Sequence, residues 1–209
     1  MVRVARLGEL ETVHVAGVNW HPVRRALGIT AFGINAYSAD RDERLIEEHD
    51  EGGRGAGGHQ ELYVLLGGHA KFTVDGEEID ASPGTLVFVP DPSARRTAIA
   101  LADGTTALVV GGPAGAITPS PWEHYFAALP LAQAGDPARA YELASAGLAD
   151  HPDNPSLHYN LACYASLAGD TDRALEHLAR AFAGDSRTRE WAQTDSDLDS
   201  IRSDPRYPG

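Results

Sequence analysis

The sequence is short of the residues that would tie it to several large classes of protein. Cys163 is the only cysteine, so no intrachain disulfide can form. A chain that folds without disulfides suits a reducing compartment. Lys71 is the only lysine, and 17 basic residues face 30 acidic ones, for a formal net charge of -13. The shortage is uniform, because residues 1–119 carry 10 basic against 16 acidic side chains and residues 120–209 carry 7 against 14. Neither half offers a basic face to phosphates, so nucleic acid and membrane surfaces are not expected partners. No apolar run approaches the roughly 20 residues of a membrane span. The opening M-V-R-V-A-R-L-G-E-L-E-T lacks the apolar core of a secretory signal, and the expected location is cytoplasmic. Neither the phosphate loop G-x-x-x-x-G-K-[ST] nor the nucleophile elbow G-x-S-x-G occurs.

What is present falls into two halves. Up to about residue 112, Gly and Pro punctuate short β-rich runs: 29–37, 62–66, 70–74, 85–89, 96–101 and 107–110. Asp75-Gly76 between two such runs is a strong hairpin signal. Short strands at regular spacing predict a sandwich or barrel. The run 85–89 is apolar at every position but its first and reads as a strand covered on both faces. Residues 113–121 read as a linker, within a Gly/Pro/Ser/Thr stretch from Gly111. After it the composition turns to Ala and Leu with helical periodicity. The expected fold class is α+β: an antiparallel β-barrel over 1–112, then an all-α segment over 122–209.

The first half carries E-L-Y-V-L-L-G-G-H-A-K-F-T-V-D-G from Glu61 and A-S-P-G-T-L-V-F-V-P-D-P-S-A-R-R from Ala81. These stretches resemble the two motifs of the cupin superfamily of small jelly-roll barrels, which usually hold one metal ion. Glu61, Gly68, Pro83, Gly84 and Pro90 stand where the pattern wants them. The His-x-His pair of the motif falls at Arg54 and Ala56, or at Gly55 and Gly57, and its last His falls at Arg95. The framework is kept and most of the metal ligands are replaced. Residues 1–27 read as an extension strand that closes the barrel or mediates dimer contact.

Glu61 matches the motif's ligand carboxylate. His59 and Glu61 are two apart and share one side of a strand. His49 precedes the Gly-rich stretch 51–58, which can fold it back. His49, His59 and Glu61 thus form the candidate set for a divalent transition metal such as Zn, Fe, Ni or Mn, the ligands of a dioxygenase- or isomerase-type cupin enzyme. The favoured expectation is no metal. A guanidinium cannot ligate a metal, and Arg95 or Arg96 pairs with Glu61 or receives a small anionic ligand. The candidate pocket comprises His59, Glu61, Tyr63, Phe88 and Arg95. The acidic run at Asp195, Asp197 and Asp199 lacks the Gly and Glu of an EF-hand loop and reads as helix capping.

The second half repeats at 34 residues: Pro121 with Pro155, Ala128 with Ala162, Gly135 with Gly169, Asp136 with Asp170, and Ala140 with Ala174. That period resembles the tetratricopeptide repeat (TPR), two antiparallel helices per unit. Two units and a capping tail are expected. Trp122, Tyr125 and Phe126 are candidates for their core or for docking onto the barrel. The resemblance implies a protein or peptide partner. The favoured function is a non-catalytic small-ligand-binding or scaffold module coupled to a protein-interaction segment, in a homodimer.

Overall fold

The computed structural model describes residues 2–53 and 56–208. The chain divides into two compact units, 1–116 and 117–209. The first contains β1 (Val13–Val15), β2 (Val18–His21), a short helix α1 (Val23–Leu27), β3 (Gly33–Ala39), β4 (Arg44–His49), β5 (His59–Gly67), β6 (Ala70–Val74), β7 (Glu77–Ala81), β8 (Leu86–Val89), β9 (Arg96–Ala100) and β10 (Thr105–Pro113).

These strands form two antiparallel sheets, ordered β1-β2-β3-β10-β5-β8 and β4-β9-β6-β7. The closed barrel expected from the sequence is replaced by two separate ladders. Side-chain alternation aims one face of each sheet at the other, and a single core fills the space between them. Tyr63 and Leu65 of β5 enter it from the larger sheet, and Phe72 of β6 from the smaller. The rings of Tyr63 and Phe72 meet with centroids 5.5 Å apart. On β9 the small Ala98 and Ala100, both fully buried, leave room for these larger groups.

The apolar run 85–89 is not covered on both faces. β8 is an edge strand, and Leu86 and Phe88 are 65% and 57% exposed while Val87 and Val89 point inward. Another departure is β4, whose Arg-Leu-Ile-Glu-Glu-His sequence has no clean period of two. Its ladder with β9 shifts register twice, so the adjacent Leu45 and Ile46 are both buried. β10 also runs three residues into the expected Gly-rich connection, because Gly111 fits between β3 and β5. A Cβ on Gly111 would lie 3.3 Å from the Gln60 carbonyl. Gly68, which stands where the motif has a Gly, has φ 76° and lies so close to Thr105 that no side chain fits. The N-terminal stretch adds the β1–β2 hairpin beside β3.

The second unit contains α2 (Pro121–Gln133), α3 (Pro137–Ser145), α4 (Pro155–Leu167), α5 (Thr171–Gly184) and α6 (Arg187–Ala192). The side chains of Ser120, Asp136, Asn154 and Asp170 cap the first four, and Ser120 with Glu123 completes a capping box. The 34-residue recurrence is visible here. α2 and α4 start on equivalent prolines, Gly135 and Gly169 both take positive φ, and Ala128, Ala140, Ala162 and Ala174 are fully buried. α3 stops earlier than α5 and continues as a 3-10 turn over Ala146–Ala149, where Gly147 is closed against the His124 ring. Leu198 and Ile201 of the tail enter the core around α4 and α5. Trp122 and Phe126 stack with centroids 6.0 Å apart and stay 57% and 62% exposed, while Tyr125 packs into the helical core.

Candidate functional site

The site lies at one end of the sandwich core of the first unit and draws on both sheets. The inner face of β5 presents His59, Glu61, Tyr63 and Leu65 in turn. β9 presents Arg96 from the other sheet, and His49 lies opposite Arg96 in the β4–β9 register. Arg96 is 1% exposed. Its Nε and Nη2 donate to one oxygen of Glu61 at 3.1 and 3.0 Å. Its Nη1 donates to the carbonyls of Pro92 at 3.0 Å and Ala94 at 2.7 Å. The Tyr63 hydroxyl donates to the same Glu61 oxygen. His49 Nε2 lies 3.6 Å from it, while His49 Nδ1 bonds the Glu47 carbonyl at 2.8 Å. A carbonyl only accepts, so Nδ1 carries a hydrogen and Nε2 faces the carboxylate.

Burial alone would raise the Glu61 carboxyl. Hydrogen bonds from His49 and Tyr63 and the charge of Arg96 overcome it and hold the group down at about 2. The same bond to Glu61 raises His49, against burial. Tyr37 on β3 is pushed up to about 12 by burial and by the charges of Glu61, Glu47 and Glu51. The field beside the buried pair is therefore acidic.

Two expected pocket residues lie elsewhere. Arg95 is exposed and pairs with Glu48 at 3.1 Å. The alternation that brings Arg96 inward turns its neighbour outward. Phe88 stands on the outer face of β8. Tyr63, Glu61 and His49 come together, but His59 does not complete the set, since its Nδ1 lies 3.8 Å from Glu51 instead. Glu51 was not singled out in the sequence. Its carboxylate accepts from the Gly57 amide at 3.0 Å, a loop closure that no strand period announces. Of the positions matching the motif's His pair, Arg54 and Gly55 lie outside the described residues.

The donor set tests the metal that the cupin resemblance implies. Ligand atoms of His49, Glu51 and Glu61 lie within 4.8 Å of one another. The spacing suits a cation, but the charges do not. The Arg96 guanidinium already occupies the Glu61 oxygen, and the Glu61 bond favours protonated His49. A dication here would meet a fixed cation at the same carboxylate. The residues therefore do not fit the metal that the resemblance implies. In the second unit, Cys163, Asp195 and Asp197 also approach within 4.8 Å. There Asp195 caps the turn at Asp197 and accepts from Tyr159 at 2.8 Å. Burial and the nearby Asp195 raise the Cys163 thiol well above its usual range.

No family model matches the chain, and no curated protein matches it. Among solved structures it is similar to a cupin protein from Bacteroides fragilis, with 19% identity over 54% of this chain and 91% of that one and a TM-score of 0.42. It is also similar to KdgF from Halomonas sp., with 16% identity over 54% and 94% and a TM-score of 0.44. A predicted oxalate decarboxylase from Thermotoga maritima gives 15% identity over 52% and 97% and a TM-score of 0.43. The cupin resemblance of this chain rests on its own motif residues and paired sheets.

Proposed function

We propose that the first unit is a cupin-like module that binds a small polar ligand or serves as a scaffold without metal chemistry, and that the second is a TPR-like protein-interaction segment. The observation that carries this reading is the buried fork of Arg96 on Glu61. It occupies the one motif carboxylate that survives, which disfavours the metal-dependent alternative built on His49, His59 and Glu61. This reading favours an uncharged polar or basic ligand over the anion first expected. Arg95 is spent on Glu48, and Arg96 is spent on Glu61 and two carbonyls. The groups left beside them are Glu51, His59 and Tyr37. For the second unit, the support is the recurrence of caps, prolines and buried alanines at 34 residues.

Dimerisation is part of this proposal. Leu66, Leu86 and Phe88, 49%, 65% and 57% exposed, lie on the outer face of β5 and β8 and offer an apolar patch to a second copy. Thermal denaturation with and without Zn, Fe(II), Ni or Mn tests the main reading. An unchanged midpoint supports it. A metal-dependent rise that Glu61→Gln abolishes would sink it.

A further inference from the structure

The second unit contains a cavity of about 220 Å³ between α3, the end of α4 and the start of α5. It is smaller than the roughly 300–1,000 Å³ of pockets that enclose free small molecules, and its size suits one side chain. Its apolar surface comes from Ala138, Ala165 and Ala168, its aromatic wall is Tyr141, and its charged groups are Glu142, Asp170 and Arg173. Three alanines leave a channel for an unbranched aliphatic stem.

The Tyr141 hydroxyl on that channel is arranged to accept a hydrogen bond. His158 Nε2 lies 2.8 Å from the Pro152 carbonyl, which can only accept, so that nitrogen carries the hydrogen. In the neutral ring His158 Nδ1 then accepts, and its partner at 2.9 Å, His177 Nδ1, must donate. That leaves His177 Nε2 to accept from the Tyr141 hydroxyl at 2.9 Å. The hydroxyl hydrogen of Tyr141 is thus committed inward, and its oxygen has only lone pairs left to offer. Arg173, the one cation of the cavity lining, faces Asp170 with its Nε at 3.4 Å, and its guanidinium lies 5.5 Å from the Tyr141 ring centre. Among the described residues Glu142 makes no ion pair. The unit as a whole has 7 basic against 14 acidic residues.

We propose that this cavity receives a lysine or arginine side chain of a partner peptide, with the stem along Ala138, Ala165 and Ala168 and the cation at Glu142. This rests on the reading of the second unit as a protein-interaction segment and names the class of partner. An acidic side chain would meet two carboxylates, Glu142 and Asp170, against one guanidinium that Asp170 already faces. Long-range attraction also favours a basic partner, because the unit carries twice as many acids as bases.

The test uses the full chain and end-blocked pentapeptides Gly-Ala-X-Ala-Gly, in which X is lysine, glutamate or norleucine, followed by NMR at low salt. The lysine peptide is expected to shift the amides of Glu142, Ala168 and Arg173 in a saturable way. Glu142→Gln at the exposed rim should weaken it about three- to tenfold. Ala138→Leu, also exposed, fills the cavity and should weaken lysine and norleucine peptides alike. If the glutamate or norleucine peptide binds these amides as well as the lysine peptide does, the basic class is wrong while peptide binding by the unit stands. If no peptide moves any amide of the second unit, both the inference and the interaction reading fall.

Discussion

The two units bury polar groups in opposite ways. In the first, a charged pair crosses between the sheets: Arg96 is 1% exposed and its guanidinium donates to the Glu61 carboxylate and to the carbonyls of Pro92 and Ala94. In the second, the buried chain from Tyr141 through His177 and His158 to Pro152 contains no carboxylate or guanidinium, and burial holds His177 neutral. A charged pair stabilises only while both partners are present and ionised. A neutral chain fails when one member is forced to charge. The two halves should therefore differ in what breaks them.

The largest effect is expected in the first unit. Arg96→Met leaves Glu61 buried without its counter-charge and should cost about 3–5 kcal/mol in chemical denaturation followed on first-unit signals. Retained stability would mean that the pair is not what closes the site. Acid should act first on the second unit. Burial and the neighbouring His158 lower His177 from 6.5 to about 4, so the unfolded chain takes up a proton that the fold refuses. Stability is lost as pH falls from 6.5 towards 4, by at most about 3 kcal/mol. Glu61 has the same sign in a lower window. Its contribution is complete above 4.5 and is lost as pH falls from there through about 2. His49, being raised, contributes below its ordinary 6.5 and loses that contribution as pH rises through its raised value. Amide exchange at mild acid should therefore show α4 and α5 opening before β5 and β9, and the reverse order would contradict the assignment of charges. Tyr63→Phe removes one donor to Glu61 and should cost about 2 kcal/mol in the same denaturation. Phe88→Lys should change stability by no more than about 0.5 kcal/mol and should turn the proposed dimer into a monomer in light scattering.

Legibility in the sequence followed the same division. The helical half could be read because Pro, Asp and Ala recur at 34 residues and each does a local job: first-turn residue, cap or close-packed contact. The Asp75-Gly76 hairpin was legible for the same reason, since both residues take positive φ. Glu61 was found from its motif position. The choice between Arg95 and Arg96 was not, because adjacent residues on a strand differ only in parity and parity is set by the pairing of β9 with β4 and β6. β4 was hidden by its register shifts, and Glu51 by a loop closure between residues with no periodic signal. The face of β8 was misread because an apolar run cannot say whether its outer side meets another part of the chain, a second copy or solvent.

Elemental analysis of the purified protein, after incubation with Zn, Fe(II), Ni or Mn and removal of excess metal, tests the central claim most directly. With Arg96 seated on Glu61, the account predicts far less than one metal per chain. Close to one metal per chain in the native protein, lost in Glu61→Gln, would show that His49, Glu51 and Glu61 hold a cation beside the guanidinium, and the metal-free reading would be wrong.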